Sequence, residues 1–226
     1  MRSKKLTGIA LLLAVLFLTG CGGSVVTDLY VQDILEVLEV VEGVKEPMLT
    51  TATITVESPG EEYQAQVAEL LERTFREATN FRTLSQDFST YIAMDVKVPI
   101  LDLDDYLELG MNDDALGIVV MDMDEDGIAF GFAMNGERLD ELFTTISDEF
   151  WQSVSVRDFI FTVKLISDIR EPISVSLQGI YANQAPVAYE EKFDLVRRDV
   201  LEIKLGDVMR DSAYQDGLAV FGVLRY

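Results

Sequence analysis

Hydrophobic positions change their period several times along this chain, and each change marks an element. Ile34, Leu35, Leu38 and Val41 fall at helical spacing, which predicts an amphipathic helix over 29–41. Over 51–57 the period drops to two, with Ala52, Ile54 and Val56 on one side, as in a strand with one buried face. Ser58-Pro59-Gly60-Glu61 then reads as a capping box, with Ser58 as N-cap, Pro59 at the first helical position and Glu61 at the third. Tyr63, Val67, Leu70, Leu71 and Phe75 continue that helix as one apolar stripe. Over 89–98 alternation returns, placing Ile92, Met94, Val96 and Val98 on one face, and Pro99 is expected to end the ladder.

A similar order follows. Residues 116–121 and 128–133 read as strands, Leu139, Leu142, Phe143, Ile146 and Phe150 as a helix, and 159–166 as a strand. The segments 173–181, 187–193, 200–205 and 218–224 read as consecutive strands, with a turn near Asn183-Gln184. Connections this short cannot carry parallel crossovers. The pattern therefore predicts an α+β fold, with mainly antiparallel sheet(s) and about three amphipathic helices, in a single domain over 25–226.

The N-terminus stands apart. Arg2, Lys4 and Lys5 precede an apolar run over 6–18, 13 residues long, against the ~20 needed to span a bilayer. This is the pattern of a secretory signal over 1–20. Its end, Leu18-Thr19-Gly20-Cys21, resembles the lipobox of bacterial lipoproteins. That resemblance implies cleavage before Cys21 and at least two acyl chains on it, with 21–24 as a short tether. One chain alone holds a protein only marginally, since each buried methylene contributes ~0.8 kcal/mol. Gly22 in place of an aspartate implies outer-membrane placement, on the periplasmic face, where the host has two membranes. Cys21 is the sole cysteine, which excludes an intramolecular disulfide, a CxxC pair and a cysteine zinc site.

Charge narrows the partners. Removal of 1–20 takes away three basic groups and no acidic one, so the formal net charge moves from −22 to −25. Nucleic acid is excluded as a partner, because its phosphates require Lys and Arg, and an anionic membrane surface repels such a chain. A basic protein partner or a cation remains compatible. The 49% hydrophobic content excludes wholesale disorder.

Val25-Val26-Thr27-Asp28-Leu29-Tyr30 leading into VQDILEVL, with LTTATITVESP beyond, resembles uncharacterised lipoproteins encoded by phages and prophages, over roughly 18–58. The resemblance implies a phage or prophage setting and an envelope location, and it carries no site residues.

The clearest local chemical pattern is MDMDEDGIAF. Asp122, Asp124, Asp126 and Gly127 fit positions 1, 3, 5 and 6 of a calcium loop, but position 12, where a bidentate glutamate belongs, falls on Ala133. A β-hairpin with Asp126-Gly127 as a two-residue turn accounts for the same residues. The turn is the preferred reading, with calcium as the alternative and no other cofactor expected. A wider tract over 98–137 contains no Lys or Arg. It reads as a solvated face or as a docking surface for a basic partner, with Asp102, Asp104, Asp105 and Asp113 as the candidate contacts.

The chain has no histidine, which excludes Ser-His-Asp and Cys-His chemistry, and no carboxylate pair stands out for hydrolysis. Trp151, at a helix end, reads as a core plug. The sequence is therefore read as a non-enzymatic, membrane-anchored interaction protein, one that masks or modifies a surface receptor if the phage resemblance holds. The alternatives are a carrier or sensor of a small apolar ligand, suggested by the two apolar faces of 218–224, and a calcium module or carboxylate-based hydrolase.

Overall fold

Most of the alternating segments join one sheet. The computed structural model describes residues 22–39, 47–58, 60–86, 89–111, 113–123, 127–150 and 153–225. Its elements are β1 (Gly23–Tyr30), α1 (Val31–Glu39), β2 (Met48–Glu57), α2 (Gln64–Thr74), β3 (Thr79–Gln86), β4 (Ser89–Asp102), α3 (Leu103–Leu109), β5 (Leu116–Asp122), β6 (Ile128–Met134) and α4 (Gly136–Phe150). They continue with β7 (Phe159–Ile166), β8 (Ile173–Leu177), β9 (Ile180–Ala182), β10 (Ala185–Val187), β11 (Glu191–Leu195), β12 (Val200–Leu205), α5 (Asp207–Asp216) and β13 (Leu218–Arg225).

Twelve strands lie in the order β10-β9-β12-β7-β1-β2-β4-β5-β6-β13-β8-β11, and β3 pairs with β4 off that path. The pairs β1·β7 and β4·β5 are parallel. All other pairings among the described residues are antiparallel. The two ends of the path are neighbours in sequence: only residues 188–190 separate β10 from β11. Such a link spans at most about 14 Å, so the sheet has to curl back on itself. Gln178 and Gly179 cross the same seam from β8 to β9. The Gln178 N–H donates to the Phe221 carbonyl of β13 at 3.1 Å, and the Gly179 N–H to the Val187 carbonyl of β10 at 2.7 Å. The result is a nearly closed, barrel-like sheet.

The inner face is filled. Ala52, Ile54 and Val56 are buried, as their alternation predicts, and so are Ile92, Met94, Val96 and Val98. Leu71 of α2 and Leu139, Leu142 and Phe143 of α4 meet Phe159 and Phe161 around a void of only about 10 Å³, which is at the lower limit for one water. Strands β5 and β6 are covered on both faces. A smaller cluster of Met111, Val119 and Ala133, under Leu103 and Tyr106 of α3, forms their second cover.

This corrects the expected α+β class with about three helices. Among the described residues 49% are strand and 31% helix, in thirteen strands, five α-helices and two short 3₁₀ turns. The expected strand over 173–181 breaks at Gly179, whose φ of +72° a strand cannot hold. The expected strand over 187–193 is the seam between β10 and β11. Pro99 does not end β4, which continues to Asp102. Lys97 donates its N–H to the Arg76 carbonyl at 2.9 Å, and pairing with β5 begins only at Ile100. Two residues beyond Lys97, the missing N–H of Pro99 falls in the handover between these neighbours.

The capping box is also corrected. Ser58 donates its hydroxyl to the Gly60 carbonyl at 2.9 Å, a single 3₁₀ turn follows over Glu61–Tyr63, and neither that turn nor α2 has a side-chain cap. Pro59 lies outside the described residues. The apolar stripe behind it is as expected, with Val67, Leu71 and Phe75 buried.

Candidate functional site

Sequence neighbours in the acidic tract separate in space. Asp102 ends β4 and caps α3, accepting the Asp105 N–H on its Oδ1 at 2.7 Å. Gly110, at φ +65°, closes this short helix, and the chain returns through Met111 to Asp114 before β5. Asp102, Asp105 and Asp114 thereby line one cavity of about 530 Å³. Its other walls are apolar and come from distant segments: Val37 of α1, Met48 of β2, Ile100 of β4, and Leu109 and Met111 at the end of α3.

One cation enters from outside the tract. Arg76, just beyond α2, donates from Nε to Asp114 Oδ1 and from Nη2 to Asp114 Oδ2, both at 2.8 Å. This two-bond clamp has the planar geometry that guanidinium and carboxylate share. The Asp114 side chain is 9% exposed and that of Arg76 36%. The hydrogen bond to Asp114 raises the Arg76 pKa, so the guanidinium keeps its charge. Asp114 also donates its N–H to the Met111 carbonyl at 2.8 Å, which fixes the loop around the clamp. Among the described residues, three carboxylates and one guanidinium line the cavity, so its described walls are acidic. Arg76 gave no signal in the sequence, because it stands 38 positions from Asp114.

The remaining candidates lie elsewhere. Asp104 is exposed on α3, and Asp113 is 99% exposed, 4.0 Å from Arg138. Neither lines the cavity. Asp122 is at the other end of β5, about 20 Å from Leu116 at strand spacing. Asp124 and Asp126 lie outside the described residues, as do Cys21 and Trp151.

The flanks of MDMDEDG are the strands of a hairpin. Asp122 pairs with Ile128, and the Met123 N–H donates to the Gly127 carbonyl at 2.9 Å. Residues 124–126, which include Asp126 of the expected two-residue turn, lie outside the described residues. Gly127 is required there, at φ +109° and with the Leu224 carbonyl 2.3 Å from where a Cβ would stand. Ala133, the twelfth loop position, is fully buried in β6. Among the described residues no group of three or more His, Cys, Asp or Glu is placed to hold a metal ion.

A second depression lies between α4 and α5. It is larger, about 930 Å³, but open and lined by polar groups that include Glu137, Asp140 and Tyr214. The Tyr214 hydroxyl donates to Asp140, and burial with that bond pushes Tyr214 up to about 12. The smaller cavity is the better candidate, because binding sites for small groups are concave and mainly apolar with a few placed polar atoms. In 218–224, Ala219, Phe221 and Leu224 are buried in the core, Phe221 stacking edge-on against Phe130 at 5.5 Å, while Val220 is exposed.

Fold and cavity together define a mostly β domain whose curled sheet carries an acid-rimmed apolar pocket against its core. The chain belongs to the family of a domain of unknown function, DUF7424, whose model matches residues 23–225. That match begins with β1 and ends with the last residue of β13. No curated protein and no solved structure matches the chain. Among the described residues no helix is long and apolar enough to cross a membrane.

Proposed function

We propose that this is a lipid-anchored, non-enzymatic binding protein of the cell envelope, phage- or prophage-encoded, whose cavity beside α3 accepts a basic and partly apolar segment of a protein partner. The single observation that supports this best is the placement of Asp102, Asp105 and Asp114 in a cavity whose other walls, among the described residues, are mainly apolar, with Arg76 clamped to Asp114. A lysine or arginine with an apolar neighbour matches such walls: the charged head meets carboxylates while its stem and neighbour cover Met48, Ile100 and Leu109. The anchor is Cys21, and Gly22 after it favours the outer membrane in a host with two membranes.

The test is a pull-down from detergent-solubilised envelopes. Replacement of Asp102, Asp104, Asp105 and Asp113 together by asparagine should lose the partner without unfolding the domain, and the single change Asp105→Asn should account for more of the loss than Asp113→Asn. Equal capture by the fourfold variant would sink the reading.

A carrier of a small apolar ligand is the second reading, favoured by the cavity's volume and its mainly apolar walls. Native mass spectrometry of the purified protein would show a co-purified ligand whose mass is lost on mutation of Met48 to aspartate.

A further inference from the structure

The start of β1 gathers an apolar surface that the acidic cavity does not use. Gly22 is already part of the sheet: its carbonyl accepts the Glu57 N–H at 3.0 Å and its own N–H donates to Glu57 Oε2 at 3.3 Å. Gly23 and Ser24 lie in β1, so no slack separates position 21 from the folded domain. A residue at position 21 has its Cα about 3.8 Å from that of Gly22.

Around this point the register collects exposed side chains. Leu84 of β3 pairs with Tyr91 of β4, Tyr91 pairs with Glu57 of β2, and Ser24 pairs with Ile160 of β7. Leu84 is 42% and Ile160 47% exposed. With Tyr91, Gly22 and Gly23 they line a shallow cavity of about 320 Å³. Three strand spacings separate Leu84 from Gly22, about 14 Å.

We infer that this end of the sheet rests on the bilayer surface, with Leu84, Tyr91 and Ile160 in contact with lipid. The inference depends on the acylation of Cys21 proposed above, because the acyl chains bring the patch to the bilayer at high effective concentration. A tether without slack allows few orientations, and among them the one that places Leu84 and Ile160 in lipid buries apolar area. Tyr91 suits the interface, where aromatic rings with a polar tip collect. Asp158 lines the same cavity with Ser24 and Thr55, and Glu57 lies beside Gly22. Glu57 accepts hydrogen bonds from Ser89 and Gly22, and Asp158 from the N–H and hydroxyl of Ser155. They disfavour an anionic surface, so the contact suits neutral headgroups.

The consequence reaches the cavity. β4 runs from Tyr91 beside the anchor to Asp102 at the cavity, up to about 36 Å at strand rise. Docking at one end of β4 presents the acidic cavity at the other, away from the membrane.

The full-length protein tests this, because an acylated Cys21 leaves no free thiol. Leu84→Cys, Ile160→Cys and Leu107→Cys, the last on α3 near the cavity, each receive an environment-sensitive fluorophore. Each lipidated variant is then placed in phosphatidylcholine vesicles carrying nitroxide-labelled lipid. The probes at 84 and 160 should shift to the blue and lose most of their emission, while the probe at 107 keeps its own. Vesicle-bound, palmitate-labelled protein with all three probes equally bright would overturn the docking and leave the anchor standing. Protein that takes up no palmitate and stays off the vesicles would overturn both.

Discussion

Replacing Asp114 with asparagine removes the charge from a two-bond clamp and leaves the Arg76 guanidinium without its hydrogen-bonded carboxylate. A broken charge-assisted bond at a buried group costs about 1–3 kcal/mol. Arg76 is more than a third exposed, so water recovers part of that, and the expected loss is about 1 kcal/mol. A lowered urea midpoint with an unchanged slope is the expected result; a midpoint equal to wild type would mean that the clamp contributes nothing to stability. Asp95 makes a second residue-scale prediction. The hydrogen bond from Asn80 is the largest cause holding its carboxyl below the ordinary value, and bonds from Thr53 and Arg82 act in the same direction. A depressed folded pKa stabilises fully above the unfolded value of about 3.9 and loses that contribution as pH falls through the folded value. Asn80 and Arg82 belong to β3 and Thr53 to β2, so acid should loosen β3 first. Amide exchange protection in 79–86 should fall between neutral pH and pH ~3, and Asp95→Asn should flatten that pH dependence. Protection independent of pH in the native protein would contradict the assignment.

Helix α3 shows at the element scale why the cavity rim holds its form. It is seven residues long and has no fully buried side chain, so it depends on its termini more than on its faces. Loss of an N-cap costs about 1 kcal/mol, and asparagine caps as well as aspartate. Asp102→Ala should therefore raise amide exchange in 103–109, whereas Asp102→Asn should leave it unchanged while removing charge. Equal exchange in both variants would show that the cap does not hold the helix. The same weakness made α3 illegible in the sequence. Segments with one buried face, such as 51–57 and the Leu139 to Phe150 stripe, were legible because burial imposes a period. β3 is exposed along its length and has no period to read; α5 buries only Ala213 completely, and its flanking Gly206 and Gly217 were the signal to use. Of the cavity, the acidic half was legible as a tract without Lys or Arg. Arg76, Val37 and Met48 were not, since only the long pairing of β2 with β4 and the turn after α2 bring them there.

At the scale of the whole molecule, charge and shape divide the labour. The void between α2, α4 and the sheet is too small for a ligand, whereas the acidic cavity, with walls from α1, β2, β4 and α3, lies against Val37 and Ile100 of the core. The chain's formal charge of −22 would steer a basic partner toward it, and such steering weakens with salt, because the screening length is about 8 Å at physiological ionic strength. The central claim, that a basic partner enters this cavity, is tested most directly by site-specific photo-crosslinking in the native envelope. A crosslinker in place of Leu109, which lines the cavity and is 56% exposed, should capture one partner, and the yield should collapse in Asp105→Asn and at half-molar salt. A crosslinker in place of Val208 on α5, 80% exposed and outside the cavity lining, should not capture it. Capture from 208 in place of 109, or capture from 109 indifferent to both Asp105 and salt, would contradict the account.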